Sequence, residues 1–259
     1  IGPLANTVED AEIIFEAIKG ADEKDSTSLR NPDFSSNRGK VIGVPRHFLK
    51  DGVDKEVMEH FERTLEELKE RGYEVKEIEL PNINASLAVY YIIMPAEAST
   101  NLSRFDGVRY GLHVDGGSLL EDYKESRGAG FGDEVRRRIL LGTYVLSAGY
   151  YDAYYGKATA VRRIITNDFL NAFKEVDLIA TPTTPSTAFV LGDKVDPLSM
   201  YKEDTFTVSA NLTGMPSISV PMGTVSKGGV DLPVGFQFTA PHLHEKSLFA
   251  GGKDVEASI

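Results

Sequence analysis

The sequence contains no cysteine and no tryptophan in 259 residues. The first absence excludes a disulfide framework and any thiolate metal site, and it fits a reducing compartment. No apolar run approaches the length of a membrane span, and no secretion-signal pattern is visible, so the expected location is cytoplasmic. Basic residues are in deficit, 28 Lys and Arg against 39 Asp and Glu, a net charge of −11. Such a chain is poorly suited to holding nucleic acid through its own field, because phosphate binding needs clustered cations. No local Ser-His-Asp, G-x-S-x-G or S-x-x-K arrangement stands out, and there is no H-E-x-x-H and no G-x-x-x-x-G-K-[ST]. Ser35-Ser36 lies in a polar stretch without a glycine-rich turn, so no nucleophile is legible. Ile1-Gly2-Pro3-Leu4 has no initiator Met and reads as the interior of something longer.

What is present suits an α/β fold with a real core: 41% of residues are hydrophobic. Thr7 opens a helix whose Val8, Ala11, Ile14, Phe15 and Ile18 share a face, up to Gly20. Asp22 to Arg38 reads as a loop and Val41 to Pro45 as a buried strand. Asp54 caps a helix with Val57, Phe61, Leu65 and Leu68 at helical spacing, ended by Gly72. Tyr73 to Leu80 reads as a strand. Strand, helix, strand predicts a parallel βαβ unit.

Ala85 to Phe105 is helix-like, with a kink or break expected at Pro95. Gly107 to Gly132 reads as loop. Asp133 starts a helix to about Ser147, and a longer one covers roughly Tyr151 to Phe173. Asp177 to Ala180 is a short strand. Asp204 opens a helix over Thr205 to Leu212, stopped by Gly214 and Pro216, and Ile218 and Val220 follow as a buried strand. Pro233 to Thr239 is a last strand, and His244 to Glu256 a terminal helix. The simplest summary is one α/β unit with a mixed sheet and many helices.

Few residues stand out chemically. Gly128, Gly130 and Gly132 lack the G-x-G-x-x-G spacing and a preceding strand, so a plain loop is the better reading than a phosphate cradle. His242 and His244 lack further ligands and read as loop histidines. Arg136, Arg137 and Arg138 lie about 100° apart on a helix, so one points towards the stripe of Val135, Ile139 and Leu140. An inward Arg needs an anion, and its planar fork suits a carboxylate. Asp204 is either a helix cap or a cation-binding group. Tyr150, Tyr151, Tyr154 and Tyr155 form i,i+4 pairs that read as core packing with hydroxyls at the rim.

Three stretches carry a family resemblance. Ile1 to Asp10 (IGPLANTVED), Asn211 to Pro221 (NLTGMPSISVP) and Pro233 to Gln237 (PVGFQ) resemble motifs of the amidase signature enzymes. Glu97 to Gly107 (EASTNLSRFDG), Gly130-Phe131-Gly132 with its arginine-rich helix, and Ser147 to Tyr155 (SAGYYDAYY) resemble one branch, the A subunits of glutamyl-tRNA(Gln) amidotransferases. The resemblance spans nearly the whole chain. It implies the amidase signature fold, a mixed β-sheet surrounded by helices, here as a C-terminal portion covering residues 1–259.

It further implies a glutaminase whose ammonia goes to a partner subunit, where Glu-tRNA(Gln) is activated with ATP and amidated. The partners so implied are the B and C subunits of a heterotrimer, with tRNA held mainly through the partner. ATP and Mg belong to that partner, and no cofactor or metal is expected on this chain. The family's Ser-cis-Ser-Lys triad belongs upstream of the segment matching Ile1. No catalytic residue is therefore assigned here, and this chain alone is expected to be inactive.

Carried over residue by residue, Arg138 matches the arginine that grips the substrate α-carboxylate. Asp204 matches the aspartate that pairs with the α-ammonium, and Tyr90 a tyrosine near the pocket. The alternatives are an amidase signature hydrolase of simple amides, or a non-catalytic truncated chain with an assembly or binding role.

Overall fold

The computed structural model describes residues 2–30, 32–33, 39–193 and 196–258. Ile1, the Ser35-Ser36 pair and part of the Asp22 to Arg38 stretch lie outside the described residues. In chain order the helices and strands are α1 (Val8–Ile18), β1 (Val41–Val44), α2 (Arg46–Leu49), α3 (Lys55–Glu70), β2 (Glu74–Glu77), α4 (Ser86–Leu102), α5 (Leu119–Gly130), α6 (Asp133–Val145), α7 (Lys157–Ala172), β3 (Leu178–Pro182), α8 (Pro197–Tyr201), α9 (Val208–Thr213), β4 (Ser217–Lys227), β5 (Val230–Thr239) and α10 (Glu245–Glu256). They fall into two compact units, one of residues 1–87 with 165–259 and one of residues 88–164.

The first unit holds a five-stranded mixed sheet in the order β2-β1-β3-β5-β4. β1 pairs parallel with β2, as the βαβ pattern requires, and also with β3, and β5 runs antiparallel to both β3 and β4. β3 is central and buried at every position, which is why its sequence is a near-continuous apolar run. The stripe on α3 is as expected: Val57, Phe61, Leu65 and Leu68 are all at most 1% exposed. Phe61 stacks on Phe236 of β5 with ring centres 5.1 Å apart. Asp54 stands at the N-cap of α3, but its carboxylate bonds Lys227 Nζ at 2.9 Å instead of the helix amides.

The end of the chain differs from its sequence reading. β4 is not a buried strand but an edge strand, and it runs six residues past Pro221. An edge tolerates a residue without an N–H, and a bulge between Pro221 and Gly223 absorbs the irregularity. The bulge also shifts the phase. Val220 faces inwards before it, Met222 is buried within it, and Val225 faces inwards after it.

Two other expectations hold only in part. The first helix has its Thr7 cap, with Oγ1 accepting from the Asp10 N–H at 3.1 Å. Only Val8 of its apolar face is buried, while Ile14 and Ile18 are 39% and 52% exposed. Tyr73 to Leu80 contributes just Glu74–Glu77 to the ladder, although Ile78 and Leu80 are buried beyond it.

A groove of about 490 Å³ runs between the N-terminal segment, β4 and α10, and Glu245 lines it. Glu245 Oε2 is buried there without a hydrogen-bond partner among the described residues. Burial raises this carboxyl above its ordinary value, outweighing its own amide, His244, Lys19 and His242, which favour the charge. A raised folded value means stability is full below the ordinary carboxylate range and is lost as pH rises through the folded one. Glu245→Gln is therefore expected to raise the thermal midpoint at pH 7 and leave it unchanged at pH 4, read by scanning calorimetry.

The second unit is helical. Of the kink or break expected at Pro95, a break does not occur: α4 runs continuously through it, because packing of Val89, Ile93 and Ala96 outweighs the lost backbone donor. Leu119–Gly130, expected as loop, is a helix. Ser118 Oγ caps it by accepting from the Glu121 N–H at 3.4 Å, and Glu121 and Asp122 favour its N-terminus. The glycines that suggested a loop fall in its final turn and at the Gly132 cap of α6. α7 is preceded by a π turn, Asp152–Gly156, in which the Gly156 N–H donates to Tyr151 O at 2.9 Å.

Candidate functional site

Asp204 does not open the helix expected after it. It is the last residue of a 3-10 turn, Lys202–Asp204, and α9 begins only at Val208 after a further turn. The backbone explains the offset. Asp204 O accepts from the Thr207 N–H at 3.0 Å and from Thr207 Oγ1 at 3.1 Å, closing a tight turn rather than an α-helical one. The half-buried carboxylate is thus no cap of α9, whose N-cap is Thr207. Gly214 ends α9 in the left-handed conformation, φ 70°, and its N–H bonds Ala210 O at 2.9 Å.

Gln237 ties this stretch to the sheet. It is buried, at 6% exposure, and its Nε2 donates to Phe206 O at 2.9 Å and to Thr181 Oγ1 at 3.2 Å. One side chain of β5 thereby fixes the turn two residues past Asp204 against β3. Sequence reasoning noted Gln237 only as part of a motif. A buried amide has no partner legible in sequence, because Phe206 and Thr181 come from distant positions. Beside Asp204, Lys202, Glu203, Thr205 and Phe206 line a cleft of about 320 Å³.

In the second unit the three arginines divide as their angular spacing predicts. Arg136 and Arg137 are exposed and pair with Asp133 and Glu134, one turn back. Arg138 is the inward one, its side chain 37% exposed, with Nε donating to Glu134 Oε1 at 2.9 Å and Nη1 lying 3.9 Å from Met94 Sδ. Burial opposes its charge, yet Glu134, Tyr90 and Tyr91 outweigh burial and raise its pKa. Leu140 does not share the inward stripe and is 72% exposed; Gly142 and Val145 take the buried positions.

Arg138 and Tyr90 are brought together. Tyr90 and Met94 lie four residues apart on one face of α4, and that face meets Arg138 on α6. Asp204 belongs to the other unit. The tyrosines after α6 pair as expected, with centroids 6.0 Å apart for Tyr150 and Tyr154 and 5.3 Å for Tyr151 and Tyr155. They are not core: Tyr150, Tyr151 and Tyr154 are 41–47% exposed. Tyr144 joins them, and a hydrogen bond with Tyr150 pushes its phenol up to about 12. His242 Nε2 sits 3.0 Å from Thr213 O at the end of α9, a structural contact. Among the described residues no group of three or more acidic or histidine side chains could hold a metal.

A family model for amidases matches residues 1–249. The chain belongs to the amidase family. This amidase-family chain is 50% identical to the glutamyl-tRNA(Gln) amidotransferase A subunit of Maricaulis maris over 99% of its own length. It is 49% identical to the same subunit of Pseudomonas fluorescens over 95% of its length. It spans about half the length of these curated relatives, 53% and 52%.

Among solved structures it resembles the glutamyl-tRNA(Gln) amidotransferase A subunit of Thermotoga maritima, with TM-score 0.72 and 38% identity over 96% of this chain and 50% of that one. A bacterial aryl acylamidase of the amidase signature family, 20% identical, superposes with TM-score 0.73 over 99% of this chain and 52% of that one, and shows the shared fold. The amidase signature fold inferred from the motifs is thus the one observed, a mixed sheet with flanking helices. Among the described residues no helix is long and apolar enough to cross a membrane.

Proposed function

We propose that this chain is the substrate-holding part of a glutaminase, the A subunit of a tRNA-dependent amidotransferase, in which Arg138 grips the α-carboxylate of glutamine and Asp204 its α-ammonium. The observation that carries this reading is an arginine turned inwards on α6, held by Glu134 and flanked by Tyr90, in a chain about half identical to curated A subunits. An arginine fork reads a planar carboxylate, and a carboxylate reads an ammonium. Opposite charges of this kind distinguish a free amino acid from a plain amide.

The nucleophilic serine pair and its lysine are assigned to the part of the amidase domain upstream of these residues. In this reading the ammonia released passes to the B subunit, in a cytoplasmic complex that also holds the C subunit. That ammonia-receiving partner uses ATP and Mg to amidate Glu-tRNA(Gln) and carries most of the tRNA contact. The net charge of −11 fits this division, since the chain has no excess of cations to offer a nucleic acid.

Substrate preference tests the reading. The complete subunit, with its partners, is expected to hydrolyse glutamine and to leave neutral aliphatic amides untouched, measured as ammonia release. Turnover of neutral amides without turnover of glutamine would instead make it a hydrolase of simple amides. Residues 1–259 alone are expected to release no ammonia from glutamine, and measurable release would refute the placement of the triad outside them.

A further inference from the structure

We infer that Glu134 is a positioning residue for Arg138, setting the direction of its guanidinium fork; this rests on Arg138 being the carboxylate grip. Glu134 stands in the first turn of α6, one turn before Arg138. Its two oxygens are divided between two arginines. Oε2 takes Nη1 of Arg137 from the exposed side of the helix, and Oε1 takes Nε of Arg138 at 2.9 Å. Arg137 therefore anchors the carboxylate, and the carboxylate anchors Arg138.

Which nitrogen is held matters. A carboxylate on Nε stops the guanidinium from rotating about its last bonds and uses a donor on the side of the fork. The terminal nitrogens lie away from that bond and can face a second anion, and Nη1 is 3.9 Å from a thioether, Met94 Sδ, which is a weak acceptor. An i,i+4 ion pair on an exposed helix adds little to stability. Here its main effect is to preorganise the side chain, so that less rotamer freedom is lost when substrate binds.

The test uses the complete subunit with its partners and compares Glu134→Gln, Arg138→Ala and the parent. Glutamine kinetics are measured alongside competition by 4-aminobutanamide, which is glutamine without the α-carboxylate. Glu134→Gln is expected to raise KM for glutamine about tenfold while kcat and the inhibition constant of 4-aminobutanamide stay within about twofold. A merely structural residue would shift both ligands, lower kcat, or lower the thermal midpoint, and any of these in place of the split overturns the assignment.

An unchanged KM in Glu134→Gln, with KM raised in Arg138→Ala, overturns the role of Glu134 and leaves the substrate grip standing. An unchanged KM in Arg138→Ala removes the grip itself and the positioning role with it. Glu134→Asp, which keeps the charge but withdraws it by one methylene, reads the same split if the Gln variant does not fold.

Discussion

Gly142→Ala is expected to destabilise the helical unit by about 3 kcal/mol, although alanine is the better helix former. Helix propensity alone argues the opposite sign, a gain of roughly 1 kcal/mol. Sterics decide the outcome. A Cβ at Gly142 would overlap the Pro95 carbonyl oxygen, lie 2.5 Å from its carbon and 2.7 Å from Ser99 Oγ. The first two are backbone atoms of α4, so no rotamer change relieves them; the helices have to part.

Parting them also moves Arg138, which lies one turn before Gly142 and reaches across to Met94, the neighbour of Pro95. The variant should therefore lose both thermal stability and glutamine affinity. Gly128→Ala is the control, since nothing lies within 4 Å of a Cβ there and its position in α5 is helical. It is expected to be neutral or stabilising by up to about 1 kcal/mol. Thermal unfolding of the two variants beside the parent checks the contrast. Equal midpoints for Gly142→Ala and the parent would show that the two helices do not approach as closely as described.

Much of the fold was legible because periodicity survives packing. The α3 stripe, the parallel pairing of β1 and β2, the Gly214 stop and the closing helix follow from apolar spacing and cap residues. What was not legible depends on neighbours distant in sequence. Pro95 reads as a break until the packing around it is known, and Gly128 and Gly130 read as loop until the Ser118 cap is seen to start a helix. Pro221 reads as the end of a strand unless that strand is known to lie at an edge.

The candidate site shows the same division. Angular spacing alone shows that one of three arginines turns inwards, and the structure identifies Arg138. The offset of Asp204 from α9, the grip of Gln237 on Phe206 and the double use of Glu134 were invisible, since each is set by a hydrogen bond whose partner no local pattern specifies. The roles proposed for Arg138, Asp204 and Tyr90 come from family motifs, not from physics.

The second large effect concerns the proposed substrate grip. Removing one charge from a charge-paired contact costs about 3–4 kcal/mol, because the partner charge is left unmatched, and that is roughly a 100- to 1,000-fold loss in kcat/KM. Arg138→Ala and Asp204→Ala should each reach this range, and Arg138→Lys should recover little, since an ammonium lacks the planar fork. Neither substitution should unfold the protein. Arg138 has its side chain 37% exposed and Asp204 is half-buried, so neither fills the core.

The most direct measurement is glutamine turnover by the Arg138→Ala and Asp204→Ala forms of the complete subunit, with thermal midpoints recorded in parallel. Retained midpoints with glutaminase activity lost are the predicted result; normal glutamine turnover in either folded variant would contradict the assignment of that residue to the substrate.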